Sequence, residues 1–260
     1  MALIAVAGAA GKTGRAVVNA LRSRSCSVRP LVRRPSGMDG EVVVDLLDSS
    51  ALRDGIRGVD AVYHMAPNMH PDELEIGRNV ISVTQDLGVE RIVYHSVLHP
   101  QIEAMPHHWD KMRVEEAILN SRLRWTVLQP APYVQNFKRP ADGVLRVPYR
   151  TDAPFSFVDL FDVAEAAAIV LTEGQFDYGI YELAGPEVMT VADLARGLGV
   201  KVESTDSGEA PPSLAAMFEY YDRHGLVGNP AALEMILGRP PTHALNALLR
   251  DSAAGDRTDH

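Results

Sequence analysis

The chain of 260 residues carries a formal net charge of −9, which argues against a nucleic-acid partner, and its 46% hydrophobic content is ample for a buried core. Cys26, the single cysteine, excludes a disulfide framework and fits a reducing cytoplasm. No apolar run approaches the ~20 residues of a membrane span, and no basic leader precedes the first strand pattern.

Apolar strand-like runs alternate with amphipathic helical segments, a pattern that predicts a parallel α/β sheet. The first run, residues 2–7, leads into Gly8-Ala9-Ala10-Gly11-Lys12-Thr13-Gly14 and then into a helix marked by Ala16, Val17, Ala20 and Leu21. Glycines at such a strand-to-helix turn permit a tight bend, close approach of a pyrophosphate and close packing of helix on sheet. The helix N-terminus adds N–H groups and a positive dipole end. Strands follow over 27–32, 41–44, 60–64, 91–95 and 125–128, separated by helices over 50–56, 71–87 and 107–121. Ser49 or Ser50 is expected to cap the helix at 50–56. Pro130 and Pro132 stop the sixth strand.

Beyond Pro130 the segments shorten and Pro, Tyr and Phe become more frequent. Helices are expected over 158–172 and over 190–198, the latter capped by Thr190. The stretch 211–230 reads as a helical cover with an aromatic face. The expected division is a nucleotide-binding core over 1–130, a substrate-binding elaboration over 131–250 interleaved with it, and a flexible tail over 251–260.

Charge at the second strand's end bears on the cofactor. In a nucleotide-binding βαβ unit this end faces the adenosine ribose, where a carboxylate suits a 2′-hydroxyl and arginines suit a 2′-phosphate. Here Val32 is followed by Arg33 and Arg34, and Lys12 adds a cation in the glycine loop, so NADP(H) is expected over NAD(H). Asp45, beside Leu46, either meets the adenine amino group or caps a helix.

The chain resembles the atypical short-chain dehydrogenases of the NmrA-like type. The matching features are Gly8, Gly11 and Gly14 in GxxGxxG spacing, Arg33-Arg34, Gly58-Val59-Asp60-Ala61-Val62, Ser96, Lys111 with Glu115, Leu128-Gln129-Pro130 through Asn136-Phe137, and Tyr181-Glu182-Leu183-Ala184-Gly185-Pro186. The resemblance implies a Rossmann-type doubly wound parallel sheet with a small C-terminal substrate-binding lobe. It also implies a nicotinamide cofactor contacted by Gly8, Gly11, Lys12, Thr13, Gly14, Arg33, Arg34, Asp45, Leu46, Ala66, Pro67, Lys111, Pro130, Ala131 and Pro132.

Ordinary members of that superfamily use Ser, Tyr and Lys, with the Tyr four residues before the Lys. Ser96 and Lys111 match, but the Tyr position is His107. Three readings stay open: His107 replaces Tyr as the acid, the substrate supplies its own acidic group, or the protein is a non-catalytic NADP sensor that docks a protein partner. His95, His99, His107 and His108 lack metal-ligand spacing, so no metal is expected. Tyr133, Phe137, Phe155, Phe157, Phe218 and Tyr221, with Asn136 as a polar contact, suit a flat, bulky aromatic ligand such as a polyketide or quinone. The expected activity is thus NADPH-dependent ketone reduction in the cytoplasm, without nucleic acid or membrane; monomer and dimer both stay open.

Overall fold

A computed structural model describes residues 1–137 and 140–255. The chain divides into two compact units. The first comprises Met1–Gln101, His107–Gln129 and Ala164–Tyr181, and the second Ile102–Pro106, Pro130–Val163 and Glu182–His260.

The first unit is built on a seven-stranded sheet. Its strands are β1 (Leu3–Ala7), β2 (Ser27–Val32), β3 (Val42–Val43), β4 (Ala61–His64), β5 (Arg91–His95), β6 (Arg124–Pro130) and, following a shorter strand of the second unit, β8 (Gly179–Leu183). The order is β3-β2-β1-β4-β5-β6-β8, and every pairing from β3 to β6 is parallel. Strands covered on both faces need near-continuous apolar runs, which is why Ile4 to Ala7 and Ala61 to His64 are buried without alternation. The order reverses between β1 and β4, and in open α/β sheets this switch point opens the crevice that takes ligands.

Helices α1 (Lys12–Ser23), α2 (Ser49–Ile56), α3 (Glu73–Asp86) and α4 (Pro106–Leu119) fill the crossovers. One core joins Leu52 and Ile56 of α2, Val80 of α3 and Val114 and Ile118 of α4 to Ala5, Val62, Ile92 and Val127 of the sheet. Helix α1 turns Val17 and Leu21 inward against β1 and β2. The cap of α2 is Asp48, not a serine: its carboxylate accepts from Ser50 N at 2.9 Å and Ala51 N at 3.1 Å, a geometry that a shorter hydroxyl one or two residues later cannot offer.

The second unit holds a parallel two-stranded sheet of β7 (Val144–Val147) and β9 (Lys201–Ser204). Its helices are α6 (Val191–Leu198), α7 (Pro212–His224), α8 (Ala231–Leu237) and α9 (Ala244–Gly255), and α5 (Leu160–Thr172) continues from it into the first unit. Thr190 caps α6 as expected, in a reciprocal box with Asp193. Residues 251–255, expected in a loose tail, instead extend α9, and residues 256–260 lie outside the described residues. Arg250 explains the extension: it holds the buried Asp159 with two hydrogen bonds, at 2.7 and 3.0 Å, and so ties down the end of α9. No described helix is long and apolar enough to cross a membrane.

Candidate cofactor and active site

The glycine loop sits at the carboxyl end of β1. Gly8 adopts φ +69°, and a Cβ there would stand 2.9 Å from Met65 Cε, in the loop after β4. A Cβ on Gly14 would fall 2.2 Å from Gly8 O, so only glycine lets α1 approach the loop. Gly11 differs: its backbone is extended, and a Cβ would come no nearer than 3.4 Å to Gly8 O. It begins α1 without a side-chain cap, and no acidic residue stands in the first turn. Lys12 and Thr13 occupy that turn. An N-terminus left without a carboxylate fits a phosphate group.

Around the loop, Arg33 and Arg34 are exposed at the end of β2, and no ion pair engages either among the described residues. Asp45 turns its carboxylate onto Leu47 N at 3.0 Å, within its own loop, and Leu46 O accepts from Asn79 Nδ2. Ala66 is buried and Pro67 exposed just beyond β4.

Ser96, His107 and Lys111 all lie in the first unit, and Ser96 and Lys111 each have a buried carboxylate partner. The Ser96 hydroxyl donates to Glu115 Oε1, whose carboxylate also accepts from Gln129 Nε2 with both oxygens at 3.0 Å. Burial pushes the Glu115 carboxyl above its ordinary value, against the lowering pull of Ser96, Gln129 and Lys111. Lys111 Nζ donates to Glu73 Oε1 at 2.8 Å, and the Tyr94 hydroxyl donates to the same oxygen at 3.0 Å. Ser96, Lys111, Glu73 and Glu115 are all at most 5% exposed, so these are interior contacts.

Among the described residues the buried His107 Nδ1 has no hydrogen-bond partner, and burial followed by the Lys111 charge pushes the ring down to about 4. Its neighbour His108 packs edge-on at 4.5 Å and is anchored to His99 O at 3.3 Å through Nδ1. His95 Nδ1 meets the Tyr63 hydroxyl at 2.5 Å. Among the described residues no three His, Cys, Asp or Glu side chains are grouped to hold a metal.

In the second unit, Ala131 N donates to Leu183 O at 2.9 Å and Tyr133 bridges Val158, which fixes the chain just past Pro130 and Pro132. Tyr133 is half-buried and Asn136 exposed. The aromatic residues proved to be mostly core. Phe155 and Phe157 are 0% and 1% exposed and stack at 5.1 Å, Phe137 meets Phe157 at 5.0 Å, and Tyr221 meets Phe155 edge-on at 5.1 Å. Phe155 and Phe157 thus pack this unit rather than line open space. Phe218 is half-buried and borders a groove of about 600 Å³ with Tyr149, Thr205 and Asp222.

Sequence reasoning missed Glu73 and the contact that Tyr94 makes with it. Both residues lie at ordinary positions, a first-turn acid and a strand aromatic, and only the fold brings them to Lys111.

The NmrA-like family model matches residues 1–206. Quinone oxidoreductase 2 of Escherichia coli is 26% identical over 272 residues, covering 92% of this chain and 95% of that protein. The (4-alkanoyl-5-oxo-2,5-dihydrofuran-3-yl)methyl phosphate reductase of Streptomyces griseus is 31% identical over 237 residues, covering 84% and 82%. The crystal structure of the NADPH-dependent quinone oxidoreductase from E. coli, complexed with NADPH, superposes with a TM-score of 0.82 at 25% identity, covering 95% of this chain and 99% of that one.

Proposed function

The chain belongs to the NmrA-like family, and on that footing we propose that it is an NADPH-dependent reductase of a carbonyl on a flat aromatic, quinone- or polyketide-like substrate. One observation carries the reading. The superfamily's serine and lysine are present but engaged by buried carboxylates, and the residue in the tyrosine position is a histidine held neutral. Such a site suits an acceptor whose reduced oxygen is a stable anion, because that acceptor needs little help from a general acid. A quinone meets this condition, and so does an aryl ketone beside a phenol. The quinone oxidoreductase among the relatives is consistent with a quinone-like acceptor, and the second relative supports the coarser reading of a reductase.

A bound nicotinamide dinucleotide supplies the hydride. Gly8 and Gly14 shape the loop, Gly11 leaves its backbone open to a pyrophosphate, and the uncapped α1 N-terminus would hold the phosphate charge. Arg33 and Arg34 would take the 2′-phosphate and Lys111 would hold ribose hydroxyls, with Ala66 and Pro67 on the rings' side of the first unit. NADPH is accordingly expected to bind at least tenfold tighter than NADH, about 1.4 kcal/mol, and the Arg33→Ala/Arg34→Ala double variant to erase most of that preference. Equal dissociation constants in the unaltered protein would remove the basis for this assignment.

His107→Phe is expected to lower kcat by less than about threefold, since a neutral imidazole is a weak acid; a general acid contributes ~10²–10⁴-fold. A loss of that size on every substrate would make His107 the acid. A phenolic ketone is expected to outrun its methyl ether, and equal rates would exclude the substrate as proton source.

The seclusion of Ser96 and Lys111 also favours one second reading, a non-catalytic NADP-binding regulator that docks a protein partner. NADPH oxidation against a panel of quinones and aromatic ketones separates the two. Tight NADPH binding without turnover on any of them favours the regulator.

A further inference from the structure

We infer that Glu73 is a positioning residue for Lys111, fixing its ammonium where a bound dinucleotide's ribose takes the remaining hydrogens; this rests on the cofactor reading above. Glu73 is the first residue of α3, a place where acidic side chains ordinarily face water. Here it is 2% exposed. A carboxylate taken out of water needs donors, and Glu73 Oε1 receives two: Lys111 Nζ from α4 and the Tyr94 hydroxyl from β5. The Tyr94 ring also lies 5.7 Å from Nζ. Three elements therefore converge on one oxygen, and the long lysine side chain is held at its tip instead of being left to its rotamers.

The stoichiometry of donors matters. An ammonium has three N–H bonds, and Glu73 takes one. The other two remain for ligand hydroxyls. Ser96 and Glu115 form a separate pair and leave Lys111 to Glu73. On this view Glu73 acts on the cofactor only through Lys111, and the two residues must be coupled.

Titration calorimetry with NADPH tests this on the unaltered protein and on E73Q, E73D, K111M and the E73Q/K111M double variant, with urea midpoints recorded for each. E73Q and K111M are each expected to weaken NADPH about tenfold, the scale of one hydrogen bond to a charged group. The double variant is expected to bind no more weakly than K111M. E73D, which keeps the charge but retracts it by one methylene, is expected to fall between the unaltered protein and E73Q. If the unpaired buried ammonium prevents E73Q from folding, E73D and the comparison of the double variant with K111M carry the test. Wild-type affinity in the folded E73Q and E73D proteins would reduce Glu73 to a structural role and overturn the inference, as would additive losses in the double variant. If the unaltered protein fails to bind NADPH, the cofactor reading itself falls.

Discussion

Gly11→Val is expected to fold and to lose at least a hundredfold in NADPH affinity, about 2.7 kcal/mol. Gly11 is the clean probe among the three glycines. Its φ of −73° and ψ of 168° are open to valine, and the nearest atom to an added Cβ is Gly8 O at 3.4 Å. The branched methyl groups then stand on the exposed side of the loop, at the foot of α1, where a pyrophosphate needs bare backbone. Gly8→Val mixes two effects, since a β-branched residue is strained at φ +69° and would press on Met65. Gly14→Val drives its Cβ to 2.2 Å from Gly8 O and is expected to break the packing of α1 on the loop. The check is calorimetry of NADPH against Gly11→Val, beside a urea midpoint within error of the unaltered protein. An unchanged dissociation constant would place the nucleotide elsewhere on the molecule.

That contrast among glycines shows where sequence reasoning reaches its limit. The spacing of Gly8, Gly11 and Gly14 between an apolar run and a helical run is a local pattern, and it marked the turn correctly. Which glycine serves the backbone and which serves a ligand depends on Met65 and on the return of α1 over Gly8. The strands were legible for the same local reason. Strand β2 spans Ser27–Val32 and β5 Arg91–His95, as their apolar runs predict. Strands β7, β8 and β9 were not read, because β7 alternates weakly and β8 and β9 are only partly buried, so none carries a strong apolar signature.

Aromatic content meets a related limit. Phe155 and Phe157 are two apart, the spacing of a strand face, and an aromatic stripe reads alike whether it lines a ligand site or fills a core. Burial decides, and both proved to be interior. The candidate site shows the complementary limit. Ser96, His107 and Lys111 were found through their family positions, yet what distinguishes this site is the pair of carboxylates that engage two of them. Glu73 stands 38 positions from Lys111, and no sequence period connects such residues.

Those buried histidines set the second large expectation: the protein loses most of its stability between pH 7 and pH 5. Burial is the main cause in each case. It pushes His64, His95 and His108 down to about 3 and His107 to about 4, with the Lys111 charge the second cause for all but His108, where His107 precedes it. Among the described residues neither ring nitrogen of His64 has a hydrogen-bond partner, so a proton arriving there meets no acceptor. In the unfolded chain each histidine takes its proton near pH 6.5, while the folded chain refuses it until pH 3 to 4. The unfolded state therefore binds more protons across this window, and stability rises with pH. The contribution is complete above about pH 6.5 and is withdrawn as the pH falls toward 4. At pH 5 each histidine costs about 2 kcal/mol, on the order of 8 kcal/mol together, against a typical total stability of roughly 5–15 kcal/mol. Glu115 works the other way, because its raised carboxyl takes a proton more readily when folded, and it offsets part of the loss. Urea unfolding at pH 7.5 and pH 5 measures the difference. His107→Phe removes one titrating ring and is expected to shrink that difference by about 2 kcal/mol. A urea midpoint that stays level across the window would mean that these rings are hydrated and free to protonate in the folded protein.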